Sequence, residues 1–152
     1  MTSRSRVYSG SAAHTATFRS GLEKQNATLL KKEGQSVIYE QYAVPFTRPE
    51  SKHTYTPDFL LSNWVIIETK GIFDAADRKK HELIQKQHPD LDIRFVFSNS
   101  KSKLYKGSPT TYGAWCTKKG FLFADKLIPK EWLTETKGVR KDPHSILVPK
   151  KS

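Results

Sequence analysis

The stretch Tyr55-Thr56-Pro57-Asp58-Phe59-Leu60-Leu61-Ser62-Asn63-Trp64-Val65-Ile66-Ile67-Glu68-Thr69-Lys70 decides the architecture. Tyr55 to Leu61 and Trp64 to Thr69 read as the two strands of a hairpin, each apolar on both faces. Such strands belong in a sheet that is covered on each side. The expected fold is therefore α/β, a central sheet flanked by helices. Upstream, Ser20-Gly21-Leu22-Glu23 is a capping-box pattern opening a helix to about Glu33, with Gly34 as its left-handed stop. Val37 to Phe46 reads as a strand. Pro45-Phe46-Thr47-Arg48-Pro49 reads as a stiff, extended connector, because proline fixes φ and lacks a donor.

Downstream, Asp74 is a candidate N-cap for a helix to about Gln87 whose surface carries Arg78, Lys79, Lys80, His81 and Lys86, and His88-Pro89 ends it. Leu91 to Phe97 alternates as a strand. A basic loop with Lys101, Lys103, Tyr105 and Lys106 follows. Ser108-Pro109 then opens a helix to Lys119 that Gly120 stops, Phe121 to Phe123 is a short strand, and Ile128 to Leu133 a terminal turn packed by Trp132.

The same hairpin carries the chemistry. Glu68 and Lys70 are two apart on a strand and project to one face. Whether Asp58 joins them depends on the turn. A two-residue loop, Ser62-Asn63, sets Asp58 opposite Ile67, on the wrong face; a three-residue loop, Ser62-Asn63-Trp64, pairs Leu61 with Val65 and sets Asp58 opposite Glu68. Both registers are compatible with the sequence. Two carboxylates one strand spacing apart repel unless a cation lies between them, and hard oxygen ligands suit Mg²⁺ or Mn²⁺. Beside such a metal, Lys70 can orient or deprotonate the attacking water, or stabilise charge developing on a phosphate.

Charge points the same way. The 152 residues hold 26 Lys and Arg against 15 Asp and Glu, a net charge of +11, and a pI of about 9.8, which favours a polyanionic partner. Basic ends, 1–17 and 136–152, read as flexible arms around one domain over 18–135, able to order on phosphate. No apolar run approaches the roughly 18 residues of a membrane span, and no secretory h-region opens the chain, so a soluble cytoplasmic protein is expected. The single Cys116 excludes an intrachain disulfide and a cysteine-rich zinc site.

Pro57-Asp58 with Glu68-Thr69-Lys70 resembles the signature of the PD-(D/E)XK nuclease superfamily. More specifically, the stretches 18–23, 53–61, 77–81, 103–110 and 123–129 resemble phage endonuclease I, a family of junction-resolving enzymes. The resemblance implies a mixed-sheet nuclease core and a domain-swapped homodimer with residues 45–49 as the inter-subunit connector. It also implies cleavage of branched DNA, chiefly four-way (Holliday) junctions, with two divalent ions per site. By the same resemblance Asp58 bridges the metals, Glu68 and the Thr69 carbonyl hold one, Glu23 helps hold the other, and Lys70 serves the attacking water. Taken from local sequence alone, Glu23 is explained as a capping residue. Arg78, Lys79 and Lys80, with Lys101, Lys103 and Lys106, are candidate DNA contacts; His53 and His81 could contact DNA or sit on a polar face, the second reading being favoured, and Tyr105 could stack on an exposed base or pack against the sheet. Competing readings are a non-catalytic basic DNA-binding protein and a restriction-type nuclease that reads a base sequence.

Overall fold

The structure, a computed structural model, describes residues 18–48, 51–136 and 142–150. The basic arm expected over 1–17 lies outside the described residues. The central sheet has four strands in the order β3 (Phe59–Leu60), β4 (Ile66–Lys70), β5 (Ile93–Phe97) and β6 (Phe123–Asp125). β3 runs antiparallel to β4, whereas β4, β5 and β6 are parallel, so the sheet is mixed.

Helices cover both faces, as the two-sided apolar strands require. Ile67 and Val96 pack with Leu30 of α1 (Gly21–Lys32) and with Trp132 and Leu133 of α4 (Lys130–Thr134). Ile66, Phe95 and Phe97 face the opposite way, onto Ile84 of α2 (Ala75–Gln87) and Trp115 and Cys116 of α3 (Tyr112–Lys119). Each β5 residue is buried, including Arg94, whose guanidinium is forked by Asp92 and Glu135 and lies over the Trp132 ring.

The helix ends follow local chemistry. Ser20 Oγ accepts from the Glu23 amide at 3.1 Å and Asp74 Oδ1 from the Asp77 amide at 2.9 Å. Gly34 and Gly120 are left-handed, at φ 76° and 84°. The third helix departs from expectation. Its cap is Thr111, which accepts from the Ala114 amide, because Ser108 Oγ is turned onto Thr110 in a local turn that holds Pro109 outside the helix.

The β3–β4 connection has the three-residue register, with Phe59 opposite Ile67, Leu60 opposite Ile66 and Leu61 N–H bonded to the Val65 carbonyl. Trp64 takes the left-handed position at φ 74°. Asn63, the residue better suited to it, is buried and otherwise engaged: its Nδ2 donates to the Trp132 and Glu135 carbonyls and anchors the end of α4.

Several strand boundaries are corrected. The expected strand over Val37 to Phe46 breaks at Glu40, a non-glycine at φ 52°, where Tyr39 bridges Phe59 and the chain leaves for a second sheet. The expected strand over Tyr55 to Leu61 breaks likewise at Pro57: Tyr55 ends β2 (Ser51–Tyr55) of that second sheet, and only Phe59–Leu60 joins β4. The segment read as a connector is extended but not free, since β1 (Tyr42–Arg48) pairs with β2 through Pro45 opposite Thr54. Proline is tolerated there because its outward edge faces α2, not a strand. Its carbonyl meets His88 Nε2 at 2.6 Å, and the Thr47 amide and carbonyl on the same edge are bonded by the Gln87 side chain.

The tail is a further correction. Residues 142–150 were expected within a loose extension, yet Pro143–Ser145 forms a 3₁₀ turn, Leu147 enters the core and β7 (Val148–Pro149) pairs with Tyr42 and Ala43. His81, read from sequence on the α2 surface, is fully buried among the rings of Tyr55, Phe73 and Phe95. Burial holds it well below the ordinary histidine range, and it is neutral there.

Candidate metal centre and nucleic-acid interface

Parallel β4, β5 and β6 put their carboxyl ends on one edge of the sheet, where α/β proteins build their sites. A cleft of about 270 Å³ opens there, lined by Arg19, Glu23, Glu40, Tyr55, Asp58, Glu68, Thr69, Lys70, Lys80 and Lys150 among others. The structure thus brings together the sequence-predicted Glu23, Asp58, Glu68, Thr69 and Lys70 within one chain. The three-residue loop register is the one seen, with pairing that ends at Phe59 opposite Ile67, and the Asp58 carboxylate bonds Thr69 while Glu68 lines the same cleft.

Each acid is held by a specific neighbour. Thr69 donates both its N–H (2.9 Å) and its hydroxyl (2.7 Å) to Asp58 Oδ2. Glu68 Oε1 accepts from the Tyr55 hydroxyl at 2.7 Å, and its Oε2 is 3.6 Å from Lys70 Nζ. Lys70 Nζ is also 3.2 Å from Asp77 Oδ1 on the first turn of α2. Glu23 does not complete the capping box by returning to the Ser20 amide. Its Oε1 accepts instead from the Arg19 amide at 2.8 Å and the Tyr39 hydroxyl at 2.5 Å, which turns the carboxylate into the cleft.

Glu40 was missed by the sequence reading. It is 2% exposed, its N–H donates to the Asp58 carbonyl at 3.1 Å, and Arg19 Nη2 is 2.6 Å from its Oε2. A left-handed backbone at a non-glycine residue costs roughly 1–2 kcal/mol, so the surrounding bonds must hold it. The available signal was one acid inside the aromatic and β-branched run Val37 to Val44. Lys150, from the segment read as a loose tail, is 6% exposed by its side chain and places Nζ 3.8 Å from Glu40 Oε1. Tyr55 and Asp77 carried no signal apart from lying near the motif.

The cleft sets the acids Glu23, Glu40, Asp58 and Glu68 among the bases Arg19, Lys70, Lys80 and Lys150. One oxygen each from Glu23, Glu40 and Asp58 lies within 4.8 Å of the others. Burial, then the charges of Glu68 and Glu23, push the Asp58 carboxyl well above the usual carboxylate range, against the two Thr69 hydrogen bonds. Burial also raises Glu68, with Lys70 and Lys80 opposing. For Lys70, burial disfavours the charge, but Glu68 and then Asp77 outweigh it, so the ammonium is retained. Like-charged oxygens converging on one open cleft fit a hard divalent cation.

The candidate DNA contacts divide. Lys80 lines the cleft and lies over the Tyr55 ring. Lys79 is exposed on α2, whereas Arg78 Nη1 is bonded to the Phe73 carbonyl and serves the fold. Lys101, Lys103 and Lys106 are exposed on the loop that leaves β5 beside β4, where the Ser98 amide bonds the Lys70 carbonyl. Asp125 pins that loop through the amide and hydroxyl of Ser100. Tyr105 is 63% exposed there and does not pack on the sheet. His53 is exposed, stacked on Phe46 and bonded to Ser51 Oγ.

Known proteins resemble this chain over most of its length. Endonuclease I of Escherichia phage T7 is 58% identical over 120 residues, covering 79% of this chain and 80% of the relative. Endodeoxyribonuclease 1 of Enterobacteria phage T3 is 56% identical over 131 residues, covering 86% of each. The family described as phage endonuclease I matches residues 3–152. With the match running through every element that builds the cleft, the chain belongs to the phage endonuclease I family.

Proposed function

We propose that this chain is a divalent-metal-dependent endodeoxyribonuclease that hydrolyses phosphodiester bonds in branched DNA, above all at four-way junctions, in the host cytoplasm. The observation that carries the reading is the convergence of Glu23, Glu40 and Asp58 oxygens within 4.8 Å, beside Glu68 and Lys70, on a chain of net charge +11. The names of the phage T7 and T3 relatives, an endonuclease and an endodeoxyribonuclease, support an internal cut in DNA. Among the described residues no helix is long and apolar enough to cross a membrane.

Asp58, Glu68, the Thr69 carbonyl and Glu23 would hold two Mg²⁺ or Mn²⁺ ions, and Glu40 lies beside Glu23 and Asp58. The ions, when bound, supply Lewis-acid polarisation of the phosphate and activation of water. The chain's own residues do the rest. Thr69 fixes the Asp58 rotamer, Tyr55 fixes Glu68, and the Lys70 ammonium, steered by Asp77, donates toward charge that develops on the phosphate. Lys70, with its Nζ 3.6 Å from Glu68 and 3.2 Å from Asp77, stands where it can serve the attacking water or the phosphate. Lys80, Lys79 and the loop lysines bind flanking phosphates.

The test is Mg²⁺-dependent nicking of a four-way junction against its linear duplex arms. Absence of nicking with tight binding would favour a non-catalytic DNA-binding protein. Cutting that ignores branching and follows base sequence would favour a restriction-type nuclease.

The functional unit is a domain-swapped homodimer. Glu23 precedes the β1–β2 hairpin and Asp58 follows it, so opening that hairpin lets the contacts seen here within one chain form between two. Mixing inactive Glu23→Ala and Asp58→Ala chains, under conditions that let subunits re-pair, checks this. A swapped heterodimer holds one intact site and regains nicking, limited to one cut per junction. A mixture that contains heterodimers yet stays inactive would refute the exchange.

A further inference from the structure

Arg19 and Glu40 form an ion pair that the ligand set does not use. The Arg19 side chain is 53% exposed at the cleft, while the Glu40 side chain beneath it is 2% exposed, and their Nη2–Oε2 distance is 2.6 Å. We propose that Arg19 binds the phosphate being cut, and that Glu40 is the positioning residue that holds its guanidinium at the mouth of the cleft. The inference rests on the reading of this cleft as a metal-dependent nuclease centre.

Both ends of the pair are tied to the acids of that centre. The Arg19 amide donates to Glu23 Oε1 at 2.8 Å, and the Glu40 amide donates to the Asp58 carbonyl at 3.1 Å. The geometry of the pair is therefore set by the same two residues that would set the metal. Glu40 directs one oxygen to Arg19 and has the buried Lys150 ammonium 3.8 Å from the other, so a cation lies beside each oxygen.

Fold stability does not account for the arrangement. A half-exposed ion pair adds little, whereas a buried carboxylate on a left-handed backbone, φ 52°, is unfavourable on both counts. What the arrangement does supply is a preorganised donor. A guanidinium carries five N–H groups in a planar fork, so one bond to Glu40 leaves others directed at a second oxyanion, and phosphate matches that fork. Lysine cannot reproduce it.

The experiment measures single-turnover cleavage of a four-way junction at saturating protein in Mg²⁺, with junction affinity measured separately in Ca²⁺. Arg19→Ala should slow cleavage by about 10²-fold, the scale of one lost transition-state donor, with affinity within about threefold. Free guanidinium ion should restore much of that rate. It should restore none in the Arg19→Ala, Glu40→Gln double variant, where the anchor is gone. Arg19→Lys should remain slow with a parental melting temperature, which separates this role from a merely structural one. Arg19→Ala cleaving within about threefold of the parent, or a slow variant that guanidinium does not rescue, would overturn the proposal. Asp58→Ala run alongside keeps the two readings apart: if it still cleaves, the metal-centre reading fails, and if it is inactive while Arg19→Ala is not, only this inference fails.

Discussion

Replacing Asp58 by Asn should abolish cleavage and, in the absence of metal, make the protein more stable. The amide keeps the shape and one carbonyl oxygen, which can accept both Thr69 hydrogen bonds now made to Oδ2, so no buried donor is orphaned. What disappears is a negative charge among negative charges. With carboxylate oxygens of Glu23 and Asp58 up to 4.8 Å apart, and an effective dielectric of about 20, one such pair repels by about 3.5 kcal/mol. Lys70, Arg19 and Lys150 offset part of this, leaving a net gain of about 2 kcal/mol, or roughly 4–8 °C in melting temperature for a chain of this size. The sign with pH follows from the raised Asp58 pKa. A carboxyl whose folded-state pKa lies above its unfolded value gives stability that is present below the unfolded pKa and lost as pH rises through the folded one. The parent should therefore fall behind the variant as pH rises from the usual carboxylate range toward neutrality, and the two should converge in acid. Thermal melts in EDTA across that range measure it, and a second series in Ca²⁺ should stabilise the parent but not the variant. A variant less stable than the parent at neutral pH without metal, or one that gains as much from Ca²⁺, would refute the reasoning.

Lys70→Met should lower single-turnover cleavage by at least about 10²-fold while the Ca²⁺-induced thermal shift persists. Asp77→Asn, which loosens the 3.2 Å contact to Lys70 Nζ, should have the same character at about one tenth of the effect, read in the same assay. Gly120→Ala places a side chain on a left-handed residue, φ 84°, and should cost about 1 kcal/mol in denaturant titration with cleavage unchanged. Deleting residues 1–16, which carry Arg4 and Arg6 without an acid, should weaken junction binding and reduce the log-log salt slope by roughly one unit per lost phosphate contact.

Features set by neighbouring residues were legible in the chain. The Ser20 and Asp74 caps and the Gly34 and Gly120 stops each depend on one side chain or one φ angle. Features set by distant partners were not. Pro45 argued against a paired strand, and only the arrival of Gln87 and His88 on its open edge makes the pairing acceptable. His81 lies among charged neighbours in sequence, yet the α2 face it occupies is the one that meets Tyr55 and Phe95. Glu40 acquires meaning only when Arg19, Asp58 and Lys150 surround it, and these lie far from it along the chain. The register of the hairpin stood between: two loop lengths were possible, and the engagement of Asn63 with α4 accompanies the longer one.

That register also explains why a threonine separates the acid from the lysine. Side chains alternate along β4, so Glu68 and Lys70 share one face and Thr69 points to the other. With Asp58 at the end of a strand only two residues long, nothing in β3 itself would fix the direction of its carboxylate. Thr69 does so with two donors on one oxygen, the backbone amide at 2.9 Å and the hydroxyl at 2.7 Å. Asp58 Oδ2 is thereby occupied and the carboxylate's orientation set, while the acid on the near face, Glu68, is held separately by Tyr55 from the second sheet. Valine at 69 would keep the strand and the amide bond but lose the hydroxyl, leaving Asp58 on one donor. The break at Pro57 serves the same end from the other side, since it lets Tyr55 leave the central sheet and return its hydroxyl to Glu68. Orientation of the two acids thus comes from two different sheets, Thr69 of the central sheet holding Asp58 and Tyr55 of the second holding Glu68.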